Sequence, residues 1–319
     1  MDGKAPDPVM YRGQGNGMDR LLTSGEVAHF PERFVMLLGV QLRRPLVWCV
    51  LGSLGIMPLV FTLALEVTGA NRPEQVQSQV MVPSSSGFVV WVLALASTMK
   101  FFLPLAISVF AANAIAGERS SGSLRYVMSG PQRRSSVMWD RLAVAAALSV
   151  GACAVLALGG LAVGLAVFGW HPLAVSAAHG AAFATALGLF GGPSATTSLL
   201  GPWVALWRLA WSTVYVGAGE AAVFAVAFLL SVVSPRPFVA VTGGVALAVV
   251  SWSLQTDLVP GLRGVAAFTP THGIGKWQFL LLAHPPTGGM VEFFVKQGLY
   301  ASLFLGLAWM CFVRRDVLG

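Results

Sequence analysis

The chain has 319 residues, of which 56% are hydrophobic and only 10% are charged, and its formal net charge is +7. A soluble domain carries about 25% charged residues. The composition therefore excludes an ordinary water-soluble fold and predicts an all-α integral membrane protein, because helices satisfy their own backbone hydrogen bonds in lipid. The basic residues cluster at the ends of apolar stretches, which argues against nucleic acid as a partner and for membrane lipids.

The N-terminal region divides into a tail and a helix. Residues 1–28 are polar and rich in glycine and are predicted to form a flexible cytoplasmic tail. Over residues 30–45 the apolar side chains recur on one face at helical spacing, whereas Glu32, Arg33, Arg43 and Arg44 lie off that face. This pattern predicts an N-terminal amphipathic helix lying in the membrane interface.

The rest of the chain contains apolar segments of the length that crosses a bilayer as a helix. The predicted six transmembrane helices are 46–65, 88–114, 142–168, 209–233, 238–254 and 293–313. The Ala-rich stretch 174–190 is flanked by Pro172 and Pro193, so we predict an external interfacial or re-entrant helix there. Glycines at 159, 160 and 164, and at 217 and 219, suit close helix packing.

The distribution of basic residues orients these spans. Fourteen of the 20 Lys and Arg residues fall in the N-terminal region, in the segment 117–141, in the 234–237 turn or at the C-terminus. By the positive-inside rule these parts, including both termini, are predicted to be cytoplasmic. Trp203, Trp207 and Trp211 repeat every four residues and suit an aromatic belt at the outer surface.

The predicted cytoplasmic segment between spans two and three is the most informative part of the chain. It contains Gly117-Glu118-Arg119, then Gly122-Ser123-Leu124-Arg125, then Ser129-Gly130-Pro131 before a basic pair. A solvated loop would explain its polarity. Its apolar side chains, however, favour contact with a cytoplasmic partner. Those side chains are Leu124, Tyr126, Val127 and Met128.

This segment resembles the loop after the second span in permeases of the ABC type-2 exporter family. Gly117, Glu118, Arg119, Gly122, Leu124, Ser129 and Pro131 match the family pattern. Ser123 stands where threonine is usual, and Arg125 stands where an acidic residue is common. The interfacial helix, the six spans and the basic C-terminal end also fit that family's layout, which makes 29–319 a permease domain.

The resemblance implies a division of labour between chains. In this family the loop forms a cytoplasmic coupling helix that docks on a separate ABC ATPase, present in two copies, and the permease pairs with a second copy or a sister permease. The residues this assigns to ATPase coupling are Gly117, Glu118, Arg119, Gly122, Ser123, Leu124, Arg125, Tyr126, Met128 and Pro131. The chain has no GxxxxGK[ST] motif, so ATP and Mg are expected on the partner and no cofactor on this chain.

Two ionisable residues, Lys100 and Glu220, fall within predicted spans. Charges inside a membrane are costly and face a partner or a wet cavity. One hypothesis is that the two pair across spans two and four and line the translocation path. The alternatives are a purely structural ion pair, or a Lys100 that reaches to the interface.

Three functions remain open from the sequence. The favoured one is an exporter permease, without catalytic residues or a metal site of its own, that moves an amphipathic or lipid-like substrate. The alternatives are an intramembrane enzyme, for which no nucleophile stands beside Lys100 or Glu220, and a channel or scaffold subunit without an ATPase. The Ala-, Gly- and Val-rich composition favours a bacterial source, and hence the cytoplasmic membrane.

Overall fold

The computed structural model describes residues 30–71, 86–120, 122, 134–176, 197–255, 263–281 and 288–314. The predicted tail 1–28 lies outside these ranges. The α-helices, in chain order, are α1 Phe30–Leu42, α2 Pro45–Asn71, α3 Phe88–Thr98, α4 Phe102–Ser120, α5 Arg134–Phe168, α6 Pro202–Gly219, α7 Ala221–Val233, α8 Pro237–Gln255, α9 Arg263–Ala266 and α10 Gly288–Arg314. Strands β1 Leu173–Ser176 and β2 Thr197–Leu200 and a 3-10 helix, Ile274–Leu281, complete the described elements.

The apolar helices confirm a multi-pass, predominantly helical membrane protein. Five segments are long and apolar enough to cross a bilayer. They are Pro45–Leu63, Arg134–Phe168, Pro202–Val233, Pro237–Gln255 and Gly289–Arg314. The predicted second span is instead two helices, α3 and α4, bent by 63°. By length and composition the described helices provide five candidate spans, or six when the bent pair is counted as one span.

The bend between α3 and α4 has a local cause. Pro104 lies in the first turn of α4, where a proline ring is tolerated, but it cannot donate a hydrogen bond to the carbonyl of Lys100 and its ring crowds that group. The helix therefore ends at Thr98 and restarts at Phe102, which places Lys100 in the break. The sequence had placed Lys100 inside a continuous helix.

The segment after α5 differs from the prediction. Residues 174–176, assigned to the start of a helix over 174–190, belong to β1, which pairs antiparallel with β2 from Leu173 opposite Leu200 to Ser176 opposite Thr197. The remainder of the predicted helix lies outside the described residues. The antiparallel hydrogen bonds between β1 and β2 satisfy the backbone polar groups of these residues, which are not helical.

Helix α5 organises the bundle, because α1, α2, α3 and α4 all pack along it. Its 35 residues span about 52 Å at 1.5 Å per residue, more than the ~30 Å hydrocarbon core, so α5 extends beyond the membrane. The apolar stripe of α1 packs into a cluster with α2, α4 and α5. Those stripe residues are Phe34, Leu37, Leu38 and Leu42. The structure therefore has a helix over Phe30–Leu42, while its amphipathic character and its place in the membrane interface stay predictions.

Small residues allow α3 to lie directly against α5. A Cβ atom added at Gly164 would fall 1.9 Å from the carbonyl oxygen of Gly87, and one added at Gly160 would fall 2.9 Å from the Cα of Trp91. On the adjacent face of α5, Gly159 lies against Gly55 of α2. The predicted close packing through Gly159, Gly160 and Gly164 is present in the structure.

The opposite end of the bundle from α1 is capped by residues 263–281. Trp277 of the 3-10 helix is fully buried, and its indole nitrogen lies 3.2 Å from the sulfur of Met99. The hydroxyl of Tyr215 on α6 donates to the carbonyl of Gly273 over 2.9 Å. Trp203, Trp207 and Trp211 remain between 49% and 74% exposed along one face of α6, as a lipid-facing aromatic belt requires.

Candidate functional site

An ion pair lies at the base of the segment that resembles the coupling loop. The carboxylate of Glu118, in the last turn of α4, lies 2.9 Å from the guanidinium of Arg141, in the second turn of α5. Glu118 is 4% exposed and Arg141 is 8% exposed. The two helices that flank the loop are therefore joined by a buried charge pair where they leave the apolar core.

Helical spacing turns both side chains inward. Glu118 follows the buried residues Ala114 and Ile115 by four and three positions, and Arg141 follows the buried Val137 by four. Residues at these spacings share one helix face. The sequence assigned Glu118 to contact with an ATPase and did not predict its pairing with Arg141. The spacing from the apolar residues was the signal that could have indicated an inward direction.

A second pair connects α1 to the same place. The guanidinium of Arg33 lies 3.6 Å from the carboxylate of Asp140, the residue before Arg141. Arg44, after the end of α1, is within electrostatic range of Glu118 and Arg141. Three cationic and two anionic side chains from α1, α4, α5 and the α1–α2 turn therefore form one network, which we call the base network.

A cavity of about 40 Å³ adjoins the base network between α1, α4 and α5. Its polar walls are contributed by Gln41, Arg44, Asn113 and Arg141. The volume suits a small number of water molecules, and the polar walls offer hydrogen bonds to them. Water in this cavity would reduce the free-energy cost of burying Glu118, Asp140 and Arg141.

The Arg33–Asp140 pair can be tested by a double-mutant cycle. Arg33→Gln, Asp140→Asn and the double variant are expected to show a coupling free energy of about 1 kcal/mol, because Arg33 is partly hydrated and the pair is only partly desolvated. Asp140→Asn should cost more than Arg33→Gln, since the Asp140 side chain is the more buried of the two. Unfolding in detergent measures the stability of the wild type, the two single variants and the double variant. Additive effects would show that the two residues do not interact.

The remaining residues assigned to coupling divide into two groups. Gly117 and Arg119 lie in the last turn of α4 and are both partly exposed. Gly122 has φ +76°, a left-handed conformation that favours glycine and ends the helix. The others lie outside the described residues. They are Ser123, Leu124, Arg125, Tyr126, Met128 and Pro131.

Lys100 and Glu220 do not form the ion pair that the sequence suggested. The ammonium group of Lys100 lies 5.4 Å from the ring centre of Trp252 on α8, within range of a cation–π interaction. Glu220 is 1% exposed, and neither of its carboxylate oxygens has a hydrogen-bond partner among the described residues. The pairing hypothesis is therefore wrong for this conformation, whereas a role of either residue in translocation stays a prediction.

Glu220 lies where α6 meets α7. Its backbone N–H donates to the carbonyls of both Val216 and Gly217. The backbone N–H of Ala222 donates to the side-chain oxygen of Gln297 on α10 over 3.3 Å. The interruption follows two glycines, Gly217 and Gly219, which weaken the helix. The break brings a carboxyl group into the apolar centre of the bundle.

His272 lies outside the spans, in the turn before the 3-10 helix. Burial lowers the pKa of its imidazole, and the nearby ammonium groups of Lys296 and Lys276 lower it further. The neutral imidazole is therefore favoured around neutral pH. Across the described ranges, no group of three His, Cys, Asp or Glu side chains is arranged to hold a metal ion.

These features define a multi-pass helical membrane protein in which α4 and α5 meet in a buried charge network. Residues 41–191, just under half of the chain, match the family described as ABC-2 family transporter protein. The match includes α2 to α5 and the loop between α4 and α5, and it supports the resemblance of residues 117–131 to permeases of the ABC type-2 family. No curated protein matches the chain.

Proposed function

We propose that the chain is the membrane-spanning subunit of an ATP-driven exporter, which moves an amphipathic or lipid-like substrate with energy from a separate ATPase. The observation that carries the proposal is the Glu118–Arg141 pair at the base of the loop that matches the family. A force applied to that loop reaches α4 and α5 together, because a buried ion pair resists separation.

The proposed orientation puts the base network at the cytoplasmic side. Most of the basic residues fall at this end by sequence, as the positive-inside rule requires of cytoplasmic segments. The last turns of α10 and α7 reach the same end, since Phe312 and Val232 pack with Ile115 and Met138 in one cluster. The capping segment 263–281 then faces outward, at the exit.

In the proposed mechanism, the base network transmits motion from the loop after α4 to α5 and α1. ATP binding closes two ATPase subunits beneath two permeases. The loop after α4 moves with its ATPase, Glu118 and Arg141 carry that motion into α5, and Arg33 with Asp140 carries it into α1. Along α5 the motion reaches α3 through the glycine contacts at Gly160 and Gly164, since closely packed backbones move as one body.

The partner can be tested by purifying the tagged full chain from membranes of its source organism. We expect an ATPase with a phosphate-binding loop to co-purify, and deletion of Gly122–Leu124 to reduce its recovery at least tenfold. Glu292→Gln is the control, because Glu292 lies on α10, is 61% exposed and touches only its helix neighbour Lys296 among the described contacts. A deletion variant that retains the ATPase, or a wild-type chain that brings none, would contradict the proposal.

A further inference from the structure

The carboxyl group of Glu220 has no counter-ion in the described chain. It is 1% exposed, both oxygens are without hydrogen-bond partners among the described residues, and Lys100 is engaged with Trp252 instead. An ionised carboxylate in such surroundings is strongly disfavoured unless a positive charge joins it. A buried acid without a partner among the described residues is therefore a candidate site for a positively charged ligand.

The residues that precede Glu220 in α6 pack against apolar and aromatic side chains. The preceding residue, Gly219, packs against Ile274 of the 3-10 helix and Phe293 of α10, where an added Cβ would lie 2.7 Å and 2.9 Å from their side chains. Phe293 stacks on Tyr215 with ring centres 4.7 Å apart, and Phe294 meets Tyr215 edge-on at 5.2 Å. The faces of aromatic rings attract cations, most strongly when these are desolvated.

The polar contacts next to Glu220 are already used within the protein. Tyr215 donates its hydroxyl to Gly273, and Gln297 accepts from the amide of Ala222 and donates to the carbonyl of Pro270. The thiol of Cys153 on α5 lies within electrostatic range of Glu220, and Gly217 packs on its sulfur. Among the described residues, no group of carboxylate, imidazole or thiol ligands is arranged to hold a metal ion here, whereas one carboxyl group and several aromatic rings are present.

We propose that Glu220 and the Tyr215–Phe293 pair form a binding site for a lipophilic monovalent cation, such as a quaternary ammonium, a phosphonium or a protonated amine with apolar substituents. The inference rests on the proposed function, in that such a cation would be the exported cargo. Ile274 and Phe293 close the site in this conformation, so the cation enters when the 3-10 helix and α10 separate from the α6–α7 junction. The carboxylate then neutralises the cation, and the rings cover its apolar groups.

Equilibrium binding of radiolabelled tetraphenylphosphonium to the purified full chain tests the site. We expect saturable binding to the wild-type chain, at least tenfold weaker binding to Glu220→Gln, and binding within a fewfold of wild type for Glu220→Asp, which keeps the charge. Glu292→Gln, the same chemical change on an exposed residue, should bind as wild type does. Unlabelled tetraphenylborate, which matches the probe in size but is an anion, should not compete.

The outcomes separate clearly. Equal affinity of Glu220→Gln and wild type, competition by tetraphenylborate, or no saturable binding to the wild-type chain would each overturn the proposal. The comparison of the two ions on wild-type protein remains decisive if Glu220→Gln does not fold. The assay uses neither ATP nor an ATPase, so its failure leaves the proposed coupling intact. Loss of the ATPase partner would likewise leave the binding result standing.

Discussion

Glu118→Gln is expected to destabilise the purified chain by about 3 kcal/mol, because it leaves the Arg141 guanidinium buried without its closest anion. Arg141 is 8% exposed and lies within electrostatic range of Arg44, so the uncompensated charge also meets a like charge. Arg141→Gln should also destabilise the chain, because it leaves the Glu118 carboxylate buried without Arg141. The loss of stability should be somewhat smaller, since Arg44 still attracts Glu118. Thermal or denaturant unfolding in detergent measures both.

The double variant Glu118→Gln/Arg141→Met distinguishes a missing pair from an uncompensated charge. It should be more stable than either single variant, since replacing both members of a buried pair removes the desolvation penalty along with the attraction. Glu292→Gln is the matched control and should change the free energy of unfolding by less than about 0.5 kcal/mol. A double variant that is less stable than both single variants would show that Glu118 and Arg141 contribute independently.

The same double variant probes the proposed coupling. In membranes that contain the ATPase, we expect it to assemble and hydrolyse ATP, while export falls at least tenfold, because the loop no longer carries α5 with it. Export at the wild-type rate would show that motion reaches the bundle without the pair. Export and the stability of the complex are therefore to be measured on the same preparation.

The sequence predicted the helices better than it predicted their contacts. Apolar segments of 19 residues or more identify spans because lipid leaves the backbone no alternative to a helix. The start of α1 at Phe30 and the end of α7 before Ser234 follow from proline and charge positions that act locally. The break at Lys100 also has a local signal, Pro104. The prediction of one continuous helix over 88–114 followed the unbroken hydropathy of that stretch and did not use the proline.

The direction of Glu118 could not be read from the motif alone. The motif identifies a loop that contacts a partner, and a charged residue in such a loop is expected to point toward that partner. The structure turns Glu118 toward Arg141, 23 residues later in the sequence. Such a contact depends on which faces of α4 and α5 meet, and helix packing is decided by the whole bundle rather than by either sequence segment.

Lys100 and Glu220 each lie at a break between two helices. Lys100 follows the C-terminal end of α3, and Glu220 precedes the N-terminal end of α7. Glu220 is also the C-terminal cap of α6, and Lys100 lies two residues before α4, so a negative and a positive helix end meet at each break and their effects oppose each other. The structure places the two residues in separate breaks, without the pairing across spans two and four that the sequence suggested.

Gly164→Ala is expected to disrupt the contact between α3 and α5. The added methyl group would fall 1.9 Å from the backbone oxygen of Gly87, and a backbone atom cannot rotate away as a flexible side chain can. The helices must therefore move apart by more than an ångström, at a cost of about 3 kcal/mol from lost packing. A lower melting temperature and a smaller folded fraction after purification would report the change.

Gly151→Ala provides the control within the same helix. A Cβ at Gly151 meets nothing within 4 Å, and alanine favours a helix over glycine by about 1 kcal/mol, so this variant should be as stable as the wild type or more stable. Equal stability of the two alanine variants would contradict the close approach. If α5 moves α3 through this contact, Gly164→Ala should also weaken the transmission of ATPase motion to Lys100 and the α3–α4 bend, whereas Gly151→Ala should leave export unchanged.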